Sequence, residues 1–330
     1  MLRDETAASP ERRVAALAGL RNYQEAPRPQ PRPPKPAIAA AGRATLRDYG
    51  GTGQPVVFVP SLINPPLVLD LSRGNSLLRW LARQGVRPLL VDWGTPTPAD
   101  RGMDVTAHVE ALLLPMLRSL KRPPVLVGYC LGGTLAIAAA SAVRTAGVAT
   151  IAAPWHFGGY GDAIEPIAEL WSQAHPTCDR LGLVPMEVLQ AGFWQMDPAR
   201  TVRKFERFAT LDPASPAARA FIALEDWANG GAPLPYAAAR QLFDDFFAAD
   251  LSGAGGWRVE GRAVDPAALD CPSLAFVSTT DRIVPAASAP PANERRESAL
   301  GHVGMVVGSR ARAALWEPLA DWLTRLPATK

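Results

Sequence analysis

Three residues of reactive type follow one another along the chain in an order that suits nucleophilic catalysis. Cys130 is the centre of Gly128-Tyr129-Cys130-Leu131-Gly132, between an apolar run and an alanine-rich stretch. Glycines two positions to either side let a strand turn sharply into a helix and leave the central side chain exposed. The pattern predicts a nucleophile elbow, where the helix N-terminus favours a thiolate. Taken alone, it is also typical of a buried structural cysteine in a glycine turn.

A cysteine nucleophile needs a base, and two suitable side chains follow it. Asp281 comes directly after the apolar run LAFVSTT, and His302 lies in the segment GHVG. At an elbow of this kind the chain order is nucleophile, acid, histidine. Considered singly, the aspartate is typical of a helix cap and the histidine of a turn. Together the three predict a catalytic triad of Cys130, His302 and Asp281.

Acyl transfer at such a site also needs hydrogen-bond donors for the oxyanion that develops. The backbone N–H after the nucleophile is one, and the loop after the first central strand supplies another. The sequence assigns these donors to Leu131 and, within PSLINPP, to Ile63, with Asn64 as a candidate support for the loop.

The other histidines and cysteines fit the chemistry less well. His108 falls within a helical pattern and His175 precedes a proline, so both are interpreted as surface or packing residues. His156, in PWHFGGY, is an alternative that comes closer to the predicted catalytic edge. Cys178 and Cys271 have no elbow around them and are not expected to be nucleophiles.

Alternating patterns predict the elements that hold these residues. Apolar runs typical of buried strands cover residues 55–60, 87–93, 123–130, 148–154 and 272–279. Residues 75–85 and 106–120, between them, carry apolar side chains at helical spacing. Such alternation predicts an α/β protein with a mainly parallel sheet covered by helices on both faces.

Composition along the chain predicts five parts. They are an N-terminal helix (1–26), a proline-rich linker (27–43), a first part of the α/β core (44–154), an inserted helical cap (155–257) and a second part of the core (258–330). The linker is interpreted as a polyproline spacer or as a docking motif. The cap holds 8 of the 10 phenylalanines and five of the nine tryptophans, which either fill its own core or line a hydrophobic channel.

Overall composition excludes several classes of protein. With 48% hydrophobic and 20% charged residues among 330, the chain is not disordered. Residues 1–43 hold 8 basic and 4 acidic side chains, which leaves 26 and 27 in the rest, so no folded part has the basic surplus of a nucleic-acid-binding domain. Three cysteines form no disulfide framework and no secretory signal is visible, so we expect a cytoplasmic protein.

Six segments resemble, in the same order, signature stretches of polyhydroxyalkanoate (PHA) synthases. They are SLINPPLVLDL, NSLLRWL, LLVDWGTP, GYCLGGT, CPSLAFVSTTDRIVP and GHVGMVV. The resemblance covers roughly residues 44–330 and is closest to the short catalytic subunits that work with a second protein. It implies an α/β-hydrolase fold, in which the helical cap predicted above is an insertion, and a Cys-His-Asp triad at Cys130, His302 and Asp281. The interval from Asp281 to His302 is shorter than in that family, and AASAPPANE within it predicts a poor helix.

The resemblance also implies an activity, in which 3-hydroxyacyl groups pass from coenzyme A onto cysteine and then to a growing polyester chain. Neither a cofactor nor a metal is expected, since acyl-CoA is a substrate. The resemblance leaves three interactions open: with a second synthase subunit, with a second copy of this chain in a homodimer, and with the surface of polyester granules. One alternative is a thioesterase, esterase or intracellular polyester depolymerase on the same triad. Another is a non-catalytic granule-binding protein.

Overall fold

The computed structural model describes residues 1–327, which divide into two compact units. Residues 1–33 and 186–231 form the helical unit, and residues 34–185 with the part of the chain from Ala232 onward form the sheet unit. Residues 186–231 lie within the range 155–257 that the sequence predicts as one cap. That range therefore contributes to both units.

Twelve strands occur in the described part of the chain, all of them in the sheet unit. They are β1 (Ala37–Ala41), β2 (Ala44–Asp48), β3 (Pro55–Val59), β4 (Arg87–Asp92), β5 (Val125–Tyr129), β6 (Gly147–Ile151), β7 (Leu183–Val184), β8 (Leu234–Pro235), β9 (Arg258–Val259), β10 (Arg262–Ala263), β11 (Ser273–Ser278) and β12 (Glu294–Ser298). Eight form one sheet in the order β1-β2-β4-β3-β5-β6-β11-β12, and the rest form two short ribbons. Only the β1–β2 and β2–β4 pairs are antiparallel in this sheet, so the predicted mainly parallel sheet is confirmed.

The centre of the sheet is apolar on both faces. Every residue of β3, β5, β6 and β11 is buried, because helices cover a parallel sheet on both sides. Continuous apolar runs predict such strands well, and all five predicted strands are present. The edges were not predicted: β1 lies in the range assigned to the linker, and β12 has the sequence ERRES with side chains alternately exposed and half-buried.

Helices connect the strands and build the helical unit. They are α1 (Leu2–Glu5), α2 (Pro10–Glu25), α3 (Leu77–Arg83), α4 (Val105–Ala107), α5 (Leu114–Arg118), α6 (Leu131–Ala142), α7 (Ile164–Leu181), α8 (Met186–Met196), α9 (Pro198–Phe208), α10 (Pro216–Asn229), α11 (Tyr236–Arg240), α12 (Gly304–Val307) and α13 (Glu317–Arg325). Short 3₁₀ turns cover Pro66–Asp70, Pro98–Asp100, Phe157–Ala163, Pro266–Ala268 and Ala286–Ser288, and π-helical turns cover His108–Leu113, Gln241–Ala248 and Arg312–Trp316. The segment expected to be a poor helix is thus a single 3₁₀ turn before β12. None of the helices in residues 1–327 is both long and apolar enough to cross a membrane.

In the helical unit, α2 packs very closely against α9. The helix begins at Pro10, and the side chain of Ser9 caps it by accepting from the N–H of Arg12. A Cβ atom at Gly19 would lie 1.9 Å from the carbonyl oxygen of Phe205, so the two backbones meet where no side chain fits. An ion pair between Arg12 and Glu206 (2.9 Å) joins the same two helices. The N-terminal helix is therefore a packed part of this unit.

We expect Gly19→Ala to destabilise the helical unit by roughly 1–3 kcal/mol, because the added methyl group forces α2 away from α9. Urea denaturation followed by circular dichroism measures the change. Gly74→Ala is the control, since a Cβ atom there meets nothing within 4 Å. Equal stability of the two variants would show that the helices do not meet as closely as described.

Candidate active site

Cys130 lies at a strained turn between β5 and α6. Its φ angle is 56° and its ψ angle is −135°, a backbone conformation that residues other than glycine rarely adopt. The N–H group of Cys130 donates to the carbonyl of Ile151 on β6 (2.9 Å), and the Cys130 carbonyl accepts from the N–H of Gly133 (2.8 Å). These bonds hold the cysteine at the carboxyl edge of the sheet, as predicted for an elbow.

The glycines around Cys130 are required by close backbone contacts. A Cβ atom at Gly132 would lie 2.0 Å from the carbonyl oxygen of Val59, at the end of β3. A Cβ atom at Gly128 would lie 2.3 Å from the Cα atom of Gly133. The first turn of α6 can approach the neighbouring strands only because glycine has no side chain. This is the physical reason for a glycine two positions before and two positions after Cys130.

The structure brings Asp281 and His302 to the same edge as Cys130. The carboxylate accepts a hydrogen bond of 2.6 Å from His302 Nδ1 at Oδ2, and both side chains are buried. Its Oδ1 atom accepts from the N–H groups of Ile283 (2.8 Å) and Val284 (3.0 Å). Since Nδ1 is bound to the carboxylate, Nε2 is the nitrogen left for Cys130, which interacts electrostatically with the imidazole.

His302 binds its proton strongly in this environment. Burial lowers the pKa of the imidazole, but attraction to Cys130 and hydrogen bonds to Asp281 and Cys130 outweigh that effect and raise it to about 10. The imidazole can thus keep its proton well above neutral pH.

Sequence reasoning missed Tyr129, which contacts His302, and Tyr160, which interacts electrostatically with Cys130 and Asp281. Tyr129 is buried, its hydroxyl donates to the carbonyl of His302 (3.4 Å), and its ring lies 5.0 Å from the imidazole. Burial raises the pKa of both Tyr129 and Tyr160, and the charges of Cys130 and Asp281 raise it further. Tyr129 directly precedes Cys130, so its place in the sequence could have indicated a role in the site. No local pattern indicates Tyr160.

The two predicted oxyanion donors differ in their surroundings. Leu131 is the first residue of α6, so its N–H has no acceptor within the helix. The N–H of Ile63 donates to the hydroxyl of Ser61 (3.2 Å), a buried residue of the same loop. An oxyanion would have to share or displace that hydroxyl. The Asn75 side chain donates to the carbonyl of Val307 (2.8 Å), which joins the chain after this loop to α12, just beyond His302.

The loop that follows Asp281 is fastened to residues 155–160. The carbonyl of Ser288 accepts from the N–H groups of Trp155 (2.6 Å) and His156 (3.0 Å). A Cβ atom at Gly159 would lie 2.6 Å from the carbonyl group of Ala287. These contacts limit the movement of the loop that follows Asp281.

The remaining candidates lie elsewhere. His108 is buried, with Nδ1 donating to the Asp104 carbonyl and Nε2 accepting from Arg43 (both 2.6 Å), and burial lowers its pKa to about 4. His175 shares a 2.7 Å hydrogen bond with Tyr236. His156 is half-buried, Cys178 is buried, and Cys271 contacts the hydroxyl of Thr145 (3.3 Å). Within residues 1–327 no group of three or more His, Cys, Asp or Glu side chains could hold a metal ion.

The sheet order, the elbow and the position of His302 before the last helices define an α/β-hydrolase fold. Among solved structures, the chain is similar to a monoacylglycerol lipase from Paleococcus ferrophilus. The TM-score is 0.54 at 16% identity, over 85% of this chain and 98% of the lipase. At that identity the similarity concerns the fold alone.

Sequence relatives give a narrower comparison, although no family model matches the chain. It is 28% identical over 292 residues to "Poly(3-hydroxyalkanoate) polymerase subunit PhaC" of Haloferax mediterranei, which is 83% of this chain and 59% of that protein. It is 24% identical over 315 residues to the protein of the same name from Thiocystis violacea, 88% of each chain. The chain thus spans about three fifths of the first relative. The predicted resemblance to PHA synthases is confirmed.

We expect Gly132→Ala to disrupt the elbow, because the added methyl group would collide with the Val59 carbonyl and shift Cys130. Overpacking of this kind costs roughly 1–3 kcal/mol of stability. The reactivity of Cys130 towards iodoacetamide should fall as well, as measured by mass spectrometry of the labelled peptide. The control is Gly102→Ala, since a Cβ atom there meets nothing within 4 Å. Unchanged labelling and stability would contradict the described contact.

Stability should decrease as the pH rises through the alkaline range. The pKa of His302 is about 10 in the folded protein against an ordinary 6.5, so its contribution is complete below pH 6.5 and is lost towards pH 10. We expect a smaller decline in Cys130→Ala, which lacks the attracting sulfur. Urea denaturation at about pH 6, 8 and 10 measures both slopes. Parallel slopes would exclude a charge interaction between the two residues.

Proposed function

We propose that this chain is a PHA synthase-like acyltransferase that carries 3-hydroxyacyl groups on Cys130. One observation carries the proposal: the Cys130–His302–Asp281 arrangement at an elbow, in a chain whose curated relatives are PHA polymerase subunits. Such an arrangement matches a nucleophile, a base and a group that orients the base.

In the first half-reaction the cysteine takes the acyl group from coenzyme A. His302 Nε2 removes the thiol proton, and the sulfur attacks the thioester carbonyl carbon. The N–H of Leu131 and that of Ile63, once the Ser61 hydroxyl releases it, stabilise the oxyanion. When the carbon–sulfur bond to coenzyme A breaks, the leaving thiolate takes the proton from His302. The products are an acyl-cysteine and free coenzyme A.

In the second half-reaction a hydroxyl group replaces the cysteine. His302 removes the proton from the 3-hydroxyl of another acyl unit, whose oxygen attacks the acyl-cysteine carbonyl. The carbon–sulfur bond to Cys130 breaks, an ester bond forms, and the proton returns from His302 to the sulfur. The polyester is then one unit longer and the cysteine is free again.

Asp281 supports both half-reactions by holding the imidazole. Its bond to Nδ1 fixes the tautomer that leaves Nε2 free for proton transfer, and its charge stabilises the imidazolium. The N–H groups of Ile283 and Val284 keep the carboxylate in place. A cysteine suits reversible acyl transfer, because exchange of one thioester for another is nearly balanced in free energy, whereas a serine ester would hold the acyl group more firmly.

Synthase and hydrolase differ only in whether a hydroxyl or water attacks the acyl-cysteine. Aromatic side chains of the sheet unit pack together beside Tyr160: its ring stacks on Phe157 (5.9 Å), and Phe247 meets it edge-on (5.0 Å). Phe157 in turn packs on Phe246 (5.4 Å). The charges of Cys130 and Asp281 act on Tyr160, so we infer that this aromatic cluster lies near the site and helps to exclude water from it. Exclusion of water would favour the synthase over the thioesterase, esterase or depolymerase alternative.

Incubation of the purified protein with 3-hydroxybutyryl-CoA tests the proposal. A chromogenic thiol reagent measures the release of coenzyme A, and mass spectrometry identifies the products. We expect coenzyme A and ester oligomers from the wild-type chain, and neither from Cys130→Ala. Cys271→Ala is the matched control, because it removes a cysteine that lies away from His302.

The products separate the alternatives. Coenzyme A and free 3-hydroxybutyrate in equal amounts would make the chain a thioesterase. Undiminished activity of Cys130→Ala would show that Cys130 is not the nucleophile. Absence of turnover with both short and longer 3-hydroxyacyl-CoA would indicate a non-catalytic chain or one that needs a second subunit.

We expect Asp281→Asn to reduce the rate of thiol release by about 10³–10⁴-fold, because the amide no longer fixes the tautomer or stabilises the imidazolium. Steady-state kinetics should show the loss mainly in kcat. The exposed Asp321→Asn variant, on α13, is the control. A loss below tenfold would show that His302 does not depend on Asp281.

A further inference from the structure

The helical unit contains an apolar cavity that the acyl-transfer chemistry does not use. Its volume is about 300 Å³, and side chains of four helices form its apolar walls, namely Leu2, Ala16, Leu20, Trp194, Val202 and Phe205. Small-molecule sites are concave and mostly apolar, with a few polar groups that orient the ligand. The cavity of the helical unit has these features.

Contacts around the cavity prevent its walls from closing. Gly19 of α2 already touches the backbone of Phe205, so the helices cannot approach further at that point. The hydroxyl of Tyr23 donates to Asp226 on α10 (2.7 Å), close to the end of α2. One turn before Gly19 on the same helix, the small side chain of Ala16 lines the open space. The space is thus built into the packing of the unit.

One part of the cavity wall is polar but carries no net charge. Lys204 and Glu225 form a 2.6 Å ion pair in which the Glu225 side chain is 6% exposed. The Gln190 amide donates to Asn229, whose own amide donates to the Tyr23 hydroxyl (3.4 Å). A free carboxylate would meet a lysine whose charge is already neutralised. A neutral oxygen, by contrast, can share the amide and hydroxyl donors.

The cavity is open to solvent at a hydrophobic rim. Trp194 and Met1, both on its wall, are 40% and 46% exposed. At about 30 Å³ for each water-sized group, the volume holds roughly ten heavy atoms. We propose that the cavity binds a medium-length aliphatic molecule with a neutral oxygen at one end, such as an alcohol or an ester.

Titration of the full chain with 1-decanol and methyl decanoate, followed by tryptophan fluorescence and calorimetry, tests this proposal. We expect saturable binding of one molecule per chain, with a change in emission that Trp194→Phe removes. Ala16→Phe fills the cavity and should weaken binding by at least about tenfold. Ala18→Phe, exposed on the same helix, should leave binding unchanged. Cys130→Ala should also bind normally, because the acyl-transfer site is not involved.

Four outcomes would overturn the proposal. They are non-saturable partition of the probes, equal binding by Ala16→Phe and wild type, loss of binding in Cys130→Ala, and tighter binding of decanoate than of 1-decanol. Thermal unfolding by circular dichroism establishes that Ala16→Phe is folded. If it is not, Leu20→Trp, which narrows the cavity from a half-buried position, takes its place and must show the same loss.

Discussion

The sheet unit depends on the close approach of the first turn of α6 to the end of β3. Only hydrogen atoms separate Gly132 from the Val59 carbonyl, and the same turn holds Cys130 at a positive φ angle. Strain of this kind persists only where the surrounding structure over-determines it. Here the parallel neighbours β3 and β6 supply that constraint, because β5 lies between them and its register fixes where the turn must occur. The position of the sulfur is thus a property of the whole sheet.

The sequence predicted the centre of the fold better than its edges. β3, β5, β6 and β11 are buried on both faces, so a continuous apolar run identifies each of them. An edge strand lacks that signal, because its stability comes from the neighbour it pairs with. The grouping of residues 1–33 with 186–231 was also beyond sequence reasoning. It depends on contacts such as Gly19 with Phe205, which join positions far apart in the chain.

The candidate site divides in the same way. Cys130, Asp281 and His302 were predicted as site residues because each lies in a local pattern: an elbow, the end of a strand and a glycine turn. Their order along the chain is also characteristic. Their geometry was not predictable, since it depends on the three-dimensional loops. The hydrogen bond from the Tyr129 hydroxyl to the His302 carbonyl is an example, because it joins positions far apart in the chain and no local pattern indicates it.

The charges on the edge strand β12 affect how readily the chain aggregates at high local concentration. An edge strand presents unpaired backbone groups that can recruit a strand from another molecule. β12 places Arg295 and Glu297 on its exposed positions, paired with each other at 2.9 Å, and Glu294 pairs with Arg325 of α13 (3.1 Å). An incoming strand would have to strip water from these charges. This edge therefore resists sheet-to-sheet aggregation, so crowding of the chain on a shared surface need not lead to misassembly through β12.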